Sequence, residues 1–486
     1  MRCVLPRSKQ DLSKKHISAE VCILGAGPAG LAAAWEMARA GVIDVVVLER
    51  QEGPGGLART ESFREQGYDL GPHRFFTSNK EVKQLWREVL GDDFQPVQRL
   101  TRIFYRDRFF RYPIAAADAL PRLGLWQAGL ALASFARAQL GPAPAQARSF
   151  DEWVSASFGP RLYETFFKVY TEKVWGVPCR EISADWAAQR IKGLDLWGVA
   201  RRALRFGGGR QAKTLAEEFD YPRLGAGQMS EQMRLKLEDA GLRFYFNQDV
   251  QKVHVRGDRI IAVEVPGMRI EAGHFLSSIP ITSFMGSIQP KPEEALLRSS
   301  ERLGWRDHIT VDLDVEGEAL FPDQWIYVHD PGVKMARLAN YANFSKDMAA
   351  TGRTPVSVEY FCFQGDALWR MADEDLVDLA KDELSRMGLL SSASVAAGRV
   401  RRESESYPSY VLGWRQHFEP LRRFVDSLIN LQAIGRGGMF KYNNMDHSVY
   451  SGILAARNLT GADGAPFDLW RINIDAKYQE AAIRPT

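Results

Sequence analysis

The residues with the most chemistry to offer stand near the start of the chain, in Gly25-Ala26-Gly27-Pro28-Ala29-Gly30. This is G-x-G-x-x-G, preceded by the apolar run Val21-Cys22-Ile23-Leu24 and followed by the helix-forming stretch Leu31 to Ala40. The order builds a phosphate cradle. Gly25 permits a tight turn from strand to helix, and Gly27 has no Cβ to hold a pyrophosphate away. Gly30 lets the helix pack close to the strand, and the first turn around Ala29 offers free N–H groups and the positive end of the helix dipole. Gly41 ends the helix, and a second strand, Val45 to Leu48, leads into Glu49. An acid about 20 residues beyond the glycines accepts hydrogen bonds from ribose hydroxyls and repels a 2′-phosphate. Strand, glycines, helix, strand and acid in this order predict dinucleotide binding.

The elements that position such a site must come from a chain of 486 residues, too long for one hydrophobic core, so two or three domains are expected. Hydrophobic content of 45% with 25% charged residues excludes overall disorder, and a net charge of +3 gives no reason to invoke a nucleic-acid polymer. Cys3, Cys22, Cys179 and Cys362 form no C-x-x-C pair and fit a reducing cytoplasm. The eight histidines are dispersed, so no metal site is expected, and neither a P-loop nor a G-x-S-x-G elbow is present. Met1 to Lys15 reads as a disordered basic lead-in rather than a secretory signal. Leu123 to Ala136 is uncharged but shorter than the roughly 20 residues a membrane span requires. It reads as a buried bundle helix, with docking on a membrane surface as the alternative.

After Glu49 come Arg50 and the pair Gly55-Gly56 before Leu57. These resemble the GG motif of flavoproteins of the amine oxidase and protoporphyrinogen oxidase group, which implies FAD as a resident cofactor lying against them. Gly67 to Thr77 then returns the chain toward the cofactor, the Gly71-Pro72 turn presenting His73 and Arg74 on a loop. His73 facing the flavin and His73 as a hydrogen-bonded structural residue are equal alternatives.

The run Gly71-Pro72-His73-Arg74-Phe75-Phe76-Thr77-Ser78-Asn79-Lys80 resembles the Gly-x-His-x-Phe-x-Thr-Asn stretch of UDP-galactopyranose mutases. Ile103 to Phe110 resembles a hairpin of that family, Tyr170-Thr171-Glu172-Lys173-Val174-Trp175-Gly176 its Tyr-Thr-Glu-Lys-x-Trp-Gly, and Gly435-Arg436 with Lys441-Tyr442 and His447 its C-terminal flavin segment. The pieces run from about Val21 to Leu459. The resemblance assigns Tyr170, Trp175, Arg337 and Tyr407 to substrate chemistry beside His73. It also implies cofactor contacts from Gly25, Gly27, Ala29, Gly30, Glu49, Arg50, Gly55, Gly56, Leu57, Gly71, His73, Arg74, Val250, Gly435, Arg436, Asn444, Met445 and His447. The plainer readings are that Trp175 is core and that Arg337 pairs with an acid in a sheet. The chain also departs from the pattern: a second diphosphate arginine falls on Gln189, with Arg190 next, and Asn443 replaces a tyrosine.

The implied fold is α/β, a Rossmann-like FAD-binding domain of the GR2 type with an inserted helical domain and an antiparallel sheet for substrate. The expected FAD-binding domain is discontinuous, from residues 18–78, 222–285 and 428–462. A mainly helical domain spans 79–221, with residues about 101–112 joining the sheet, and the substrate sheet spans 286–427. Gly207-Gly208-Gly209 is expected to form a flexible lid. Helices are expected over Ser230 to Ala240, Asp373 to Met387 and Ser448 to Leu459, and strands at Phe244 to Phe246, Ile260 to Val265, Ile309 to Leu313, Val356 to Tyr360 and Leu431 to Arg436. The departures favour an FAD-dependent oxidoreductase acting on a small molecule, anionic or nucleotide-linked. The alternative is a redox-neutral mutase of a nucleotide sugar that uses reduced flavin.

Overall fold

The computed structural model describes residues 14–112, 125–190, 218–318, 320–461, 464 and 466–473. Two compact units arise from interleaved segments of the chain. The first takes residues 1–56, 230–303 and 415–472, and the second takes 57–229, 304–414 and 473–486.

The first unit is organised by a parallel sheet that the sequence writes as short apolar runs. Lys15–Leu24 pairs in parallel with Val45–Leu48 on one side and with Met268–Ser277 on the other. Arg243–Tyr245 extends the sheet beside Val45–Leu48, and Leu431–Ala433 joins it beside Met268–Ser277. Val45 to Leu48 are all buried, as expected of a strand covered on both faces. The Pro28–Arg39 helix packs against the Met445–Thr460 helix so closely that a Cβ on Gly452 would stand 2.1 Å from the Ala29 carbonyl oxygen. Of the expected lead-in, only Lys14 and Lys15 fall within the described residues. Its end is ordered because the Lys14 ammonium donates to the Glu264 carboxylate at 2.6 Å and Lys15 opens the first strand.

The second unit is built on a seven-stranded sheet, antiparallel except where Trp325–Val328 runs parallel to Thr101–Tyr105. A long strand next to one edge, Trp305–Glu316, lies between Arg353–Cys362 and the edge strand Val395–Pro408. One face carries Ile309, Val311, Leu313, Val356, Val358 and Tyr360 and is covered by Leu376, Ala380 and Leu384 of the Asp373–Arg386 helix. The stretch 79–221, expected to be mostly helical, also contains four strands among its described residues, the last running to Pro222. Besides the Thr101–Tyr105 and Arg108–Arg111 hairpin, Phe94–Gln98 pairs with Glu218–Pro222, a long-range partnership that local periodicity does not report.

The Leu125–Ala138 helix forms where an apolar helix is expected, but it is not buried: Trp126 is 77% exposed and Leu132 51%. Among the described residues it packs onto the Phe150–Phe158 and Pro160–Leu162 helices, and Trp126, Leu132 and Ala136 stand exposed on the other side. Residues 207–209, expected as a lid, lie outside the described residues. No helix among the described residues is long and apolar enough to cross a membrane.

Candidate functional site

In the first unit the glycines divide by what surrounds them. Gly25 sits at φ +104°, where a Cβ would stand 2.2 Å from Ser278 Oγ, and a Cβ on Gly30 would stand 1.9 Å from the Gly25 carbonyl oxygen. These two are required by protein packing. Gly27 is different: the nearest atom to an added Cβ is Gly56 Cα at 4.0 Å, so the space in front of it belongs to no protein group. Gly56, at φ +51°, faces it from the GG pair, and Gly55 N–H donates to the Ala26 carbonyl at 2.9 Å. The Pro28–Arg39 helix starts at Gly27 without a side-chain cap. An open glycine-walled cradle at an uncapped helix start fits a pyrophosphate.

Glu49 is buried and already occupied on both oxygens, accepting the Ala26 N–H at 2.8 Å and the Gln51 N–H at 2.9 Å. Each oxygen keeps a second lone-pair direction for a ribose hydroxyl, so the side chain both braces the glycine turn and remains an acceptor. Arg50 is exposed beside it. Asn247 and Gln248 donate their N–H groups to the Gln51 and Glu49 carbonyls, which brings the segment leading to Val250 alongside the acid.

The second glycine segment is held with equal care. Gly435, at φ +72°, donates to Ser451 Oγ at 2.9 Å, and a Cβ on it would stand 3.0 Å from Ala29 Cβ. Arg436 Nε donates to the Asn443 carbonyl, and Asn443 Nδ2 donates to the Gly435 carbonyl at 3.1 Å. Asn443, read as a departure, is therefore a brace that shapes this loop. Asn444 caps the Met445–Thr460 helix, with His447 completing a capping box by accepting the Asn444 N–H on Nδ1 at 3.2 Å.

In the second unit Arg337 and the tyrosines around it gather on the sheet face opposite the apolar one. Arg337 pairs with Glu359 across neighbouring strands. Its guanidinium also donates to the Tyr407 hydroxyl at 3.3 Å and feels the Tyr170 and Tyr327 hydroxyls. Burial opposes the Arg337 charge, but the Glu359 carboxylate and the Tyr407, Tyr170 and Tyr327 hydroxyls together outweigh it and hold the group firmly protonated. The sheet-pairing reading of Arg337 is thus correct, and the same pair brings three tyrosines together. Gly71 lies on this pair, since a Cβ there would stand 3.4 Å from Glu359 Oε2, so the loop that continues to His73 and Arg74 starts from the same face. Leu57 opens this unit in a short turn of helix.

The face is polar and yet buried, and it is balanced charge by charge. Arg401 and Arg399 donate to Asp312 at 2.8 and 3.0 Å, Ser357 Oγ donates to Asp312 at 2.6 Å, and Arg59 pairs with Glu403. Asp69, fully buried, accepts from Thr60 Oγ1, Tyr221 Oη and the Ala226 N–H, tying the Gly225-Ala226-Gly227 turn in place. Burial raises its pKa to about 6 against those donors and Arg401.

The Tyr170–Gly176 motif is a positioning device. Lys173 Nζ donates to the carbonyls of Val328, Asp330 and Met335 at 2.9–3.0 Å, pinning the turn just before Arg337. Burial draws its pKa down to about 8. The Tyr170 ring stacks on His329 at 4.6 Å and meets Tyr327 edge-on at 5.5 Å. Immediately before it, Tyr163–Lys168 widens into a π-helix, an irregularity often found at functional sites. Trp175 is 2% exposed and meets Trp186 edge-on at 5.0 Å, which makes it core, and a Cβ on Gly176 would collide with the Arg306 guanidinium. Gln189 and Arg190 end the Ala184–Arg190 helix, but their side chains lie outside the description.

His329 gives a pH prediction. Burial, then the Lys173 ammonium, push its pKa from 6.5 down to about 3. The unfolded chain therefore binds the proton first as pH falls, and the contribution of neutral His329 is lost between pH 6.5 and 3. Asp69, with its pKa raised, acts in the opposite sense between 3.8 and about 6. The measurement is thus a difference: the melting temperature of His329→Phe should fall less between pH 7 and 5 than that of wild type, and parallel profiles would contradict the assignment.

Sequence reading missed Glu359, Tyr327, His329 and the pinning role of Lys173. The available signal was Val356-Ser357-Val358-Glu359-Tyr360, whose polar positions share a face with Arg337 across the register Arg337 to Glu359.

A family model described as flavin containing amine oxidoreductase matches residues 28–460. Among solved structures, the chain is similar to a reduced UDP-galactopyranose mutase, with 19% identity, TM-score 0.82, and coverage of 94% of this chain and 98% of that one. It is similar also to a candidate protoporphyrinogen oxidase from Exiguobacterium sp. 255-15, with 16% identity, TM-score 0.68, and 92% and 99% coverage. A triple mutant of putrescine oxidase matches at 16% identity and TM-score 0.61, over 92% and 100% of the two chains. At such identities the likeness carries the fold: a parallel Rossmann-like sheet with a second, mostly antiparallel one. The family match begins on the first residue of the Pro28–Arg39 helix and ends on the last of Met445–Thr460, and the chain belongs to the flavin-containing amine oxidoreductase family.

Proposed function

We propose that the protein is an FAD-dependent oxidoreductase acting on a polar, hydroxyl-rich small molecule of sugar-like character. The observation that carries this reading is the Arg337–Glu359 pair with Tyr407 beside it. A guanidinium already matched by a buried carboxylate offers donors and acceptors in close alternation, which suits vicinal hydroxyls. A dianionic diphosphate calls instead for uncompensated positive charge. The Tyr170 and Tyr327 rings add apolar faces for stacking. Bound FAD supplies the hydride chemistry. The chain does the rest: the Gly27 and Gly56 cradle holds the pyrophosphate, Glu49 the ribose, and Arg337 with Tyr407 orients a substrate oxygen. His73 accepts the proton that the substrate hydroxyl gives up.

A second reading, a redox-neutral mutase of a nucleotide sugar working with reduced flavin, is favoured by the gathering of Arg337, Tyr170 and Tyr407 in one cluster. Anaerobic mixing decides between them. An oxidoreductase substrate, sought among sugars, sugar alcohols and their nucleotide conjugates, bleaches the visible flavin band until an acceptor is added. Turnover of UDP-galactose isomers only after dithionite reduction, with no compound bleaching the oxidised protein, overturns the proposal in favour of the mutase.

A further inference from the structure

The Leu125–Ala138 helix presents an apolar stripe that none of the chemistry above uses. Trp126, Gly129, Leu132, Ala133 and Ala136 are all exposed and fall within about 120° of one another on a helix of 3.6 residues per turn. Leu140, 90% exposed, follows in the turn after it. The opposite side is fastened to protein. Arg161 N–H donates to Ser134 Oγ at 3.3 Å, Gln139 Nε2 donates to the Ser157 carbonyl at 3.3 Å, and Gly159 lies so close that a Cβ would stand 2.7 Å from the Ser134 carbonyl oxygen. The helix is therefore held with its apolar side outward, and it needs no polar face of its own.

Charge selects the occupant. Between Asp118 and Asp151 the sequence contains no acid and three arginines, Arg122, Arg137 and Arg148. Arg137 and Arg148 are exposed, Arg137 at the edge of the stripe, and Arg161 is exposed on the adjoining helix. A second copy seated by two-fold symmetry would bring this helix, acid-free from Ala119 to Phe150 and flanked by arginines, against itself. An anionic bilayer meets it with headgroups of opposite charge, while Trp126 and Leu132 enter the interfacial layer as an amphipathic anchor does. We infer that this helix docks the protein on the surface of a membrane rich in anionic phospholipid. The inference stands independently of the reaction catalysed.

The test is flotation of the full-length protein, as purified with its flavin, with vesicles of phosphatidylcholine alone or mixed with phosphatidylglycerol. Wild type is expected to float with the phosphatidylglycerol vesicles, to stay behind with phosphatidylcholine alone, and to lose binding as salt is raised. Leu132→Glu and Arg137→Glu should each cut the floated fraction at least about tenfold at an unchanged melting temperature. Should Leu132→Glu fold poorly, Leu132→Ser at the same exposed position carries the test. Absence of flotation on anionic vesicles overturns the inference. So does flotation of Leu132→Glu equal to wild type, or a dimer in sedimentation equilibrium that Leu132→Glu converts to monomer.

Discussion

Gly27→Val is expected to purify folded and colourless, with its flavin content below about a tenth of wild type and its FAD affinity lowered at least about 100-fold, roughly 3 kcal/mol. The reason lies in the empty space before Gly27, where the nearest protein atom to an added Cβ is 4.0 Å away. A side chain at Gly27 begins in that space with no protein atom nearer than 4.0 Å to its Cβ, so the cost is expected to fall on whatever the cradle holds. Gly30→Ala is the contrasting control. Its Cβ would stand 1.9 Å from the Gly25 carbonyl oxygen, so strand and helix must separate, and the loss should appear in stability itself, at about 3 kcal/mol or more. Absorbance ratios and thermal melts of the two variants check this. A yellow Gly27→Val protein would mean that the open space is not the pyrophosphate's.

The second large effect is expected at Arg337. Removing its side chain leaves Glu359 buried, with a side chain 2% exposed, against a face whose other charges are already matched. Breaking a buried pair from one side costs about 3–5 kcal/mol, so Arg337→Ala should lower the melting temperature by several degrees. It should also weaken the substrate by about 1.5–3 kcal/mol if the guanidinium donates to it. The double variant Arg337→Ala with Glu359→Gln separates the two contributions. Its stability should recover most of the loss, because no uncompensated charge remains, while the binding defect persists. Equal melting temperatures for wild type and Arg337→Ala would contradict the buried pair. Intact substrate binding in the double variant would reduce Arg337 to a structural residue.

The two units differed in how far the sequence disclosed them, for a physical reason. The cradle is local: Val21 to Glu49 contains both strands, the helix, the glycines and the acid, and each glycine's task follows from its place in the turn. The polar sheet face is assembled from distant residues. Glu359 sits in Val356-Ser357-Val358-Glu359-Tyr360, and such alternation ordinarily marks a strand with one face in water. Here both faces are buried, the polar one because Arg337, Arg401 and Arg59 arrive from elsewhere to neutralise its acids, Arg59 from 344 residues away. The Leu125–Ala138 helix failed differently. Its composition is mostly apolar, which gives no sign of which side packs, and the contacts of Ser134 and Gln139 with Arg161, Ser157 and Gly159 fix it. Asn443 looked like a lost tyrosine and proved to be a brace whose amide joins Gly435 to the loop.

The most direct test of the account is the identity and amount of the cofactor in the wild-type chain. The purified protein should show the absorbance of oxidised flavin, and acid should release FAD at one per chain, identified by chromatography against FMN and free riboflavin. A folded, colourless wild type that acquires no flavin spectrum on incubation with FAD would contradict it.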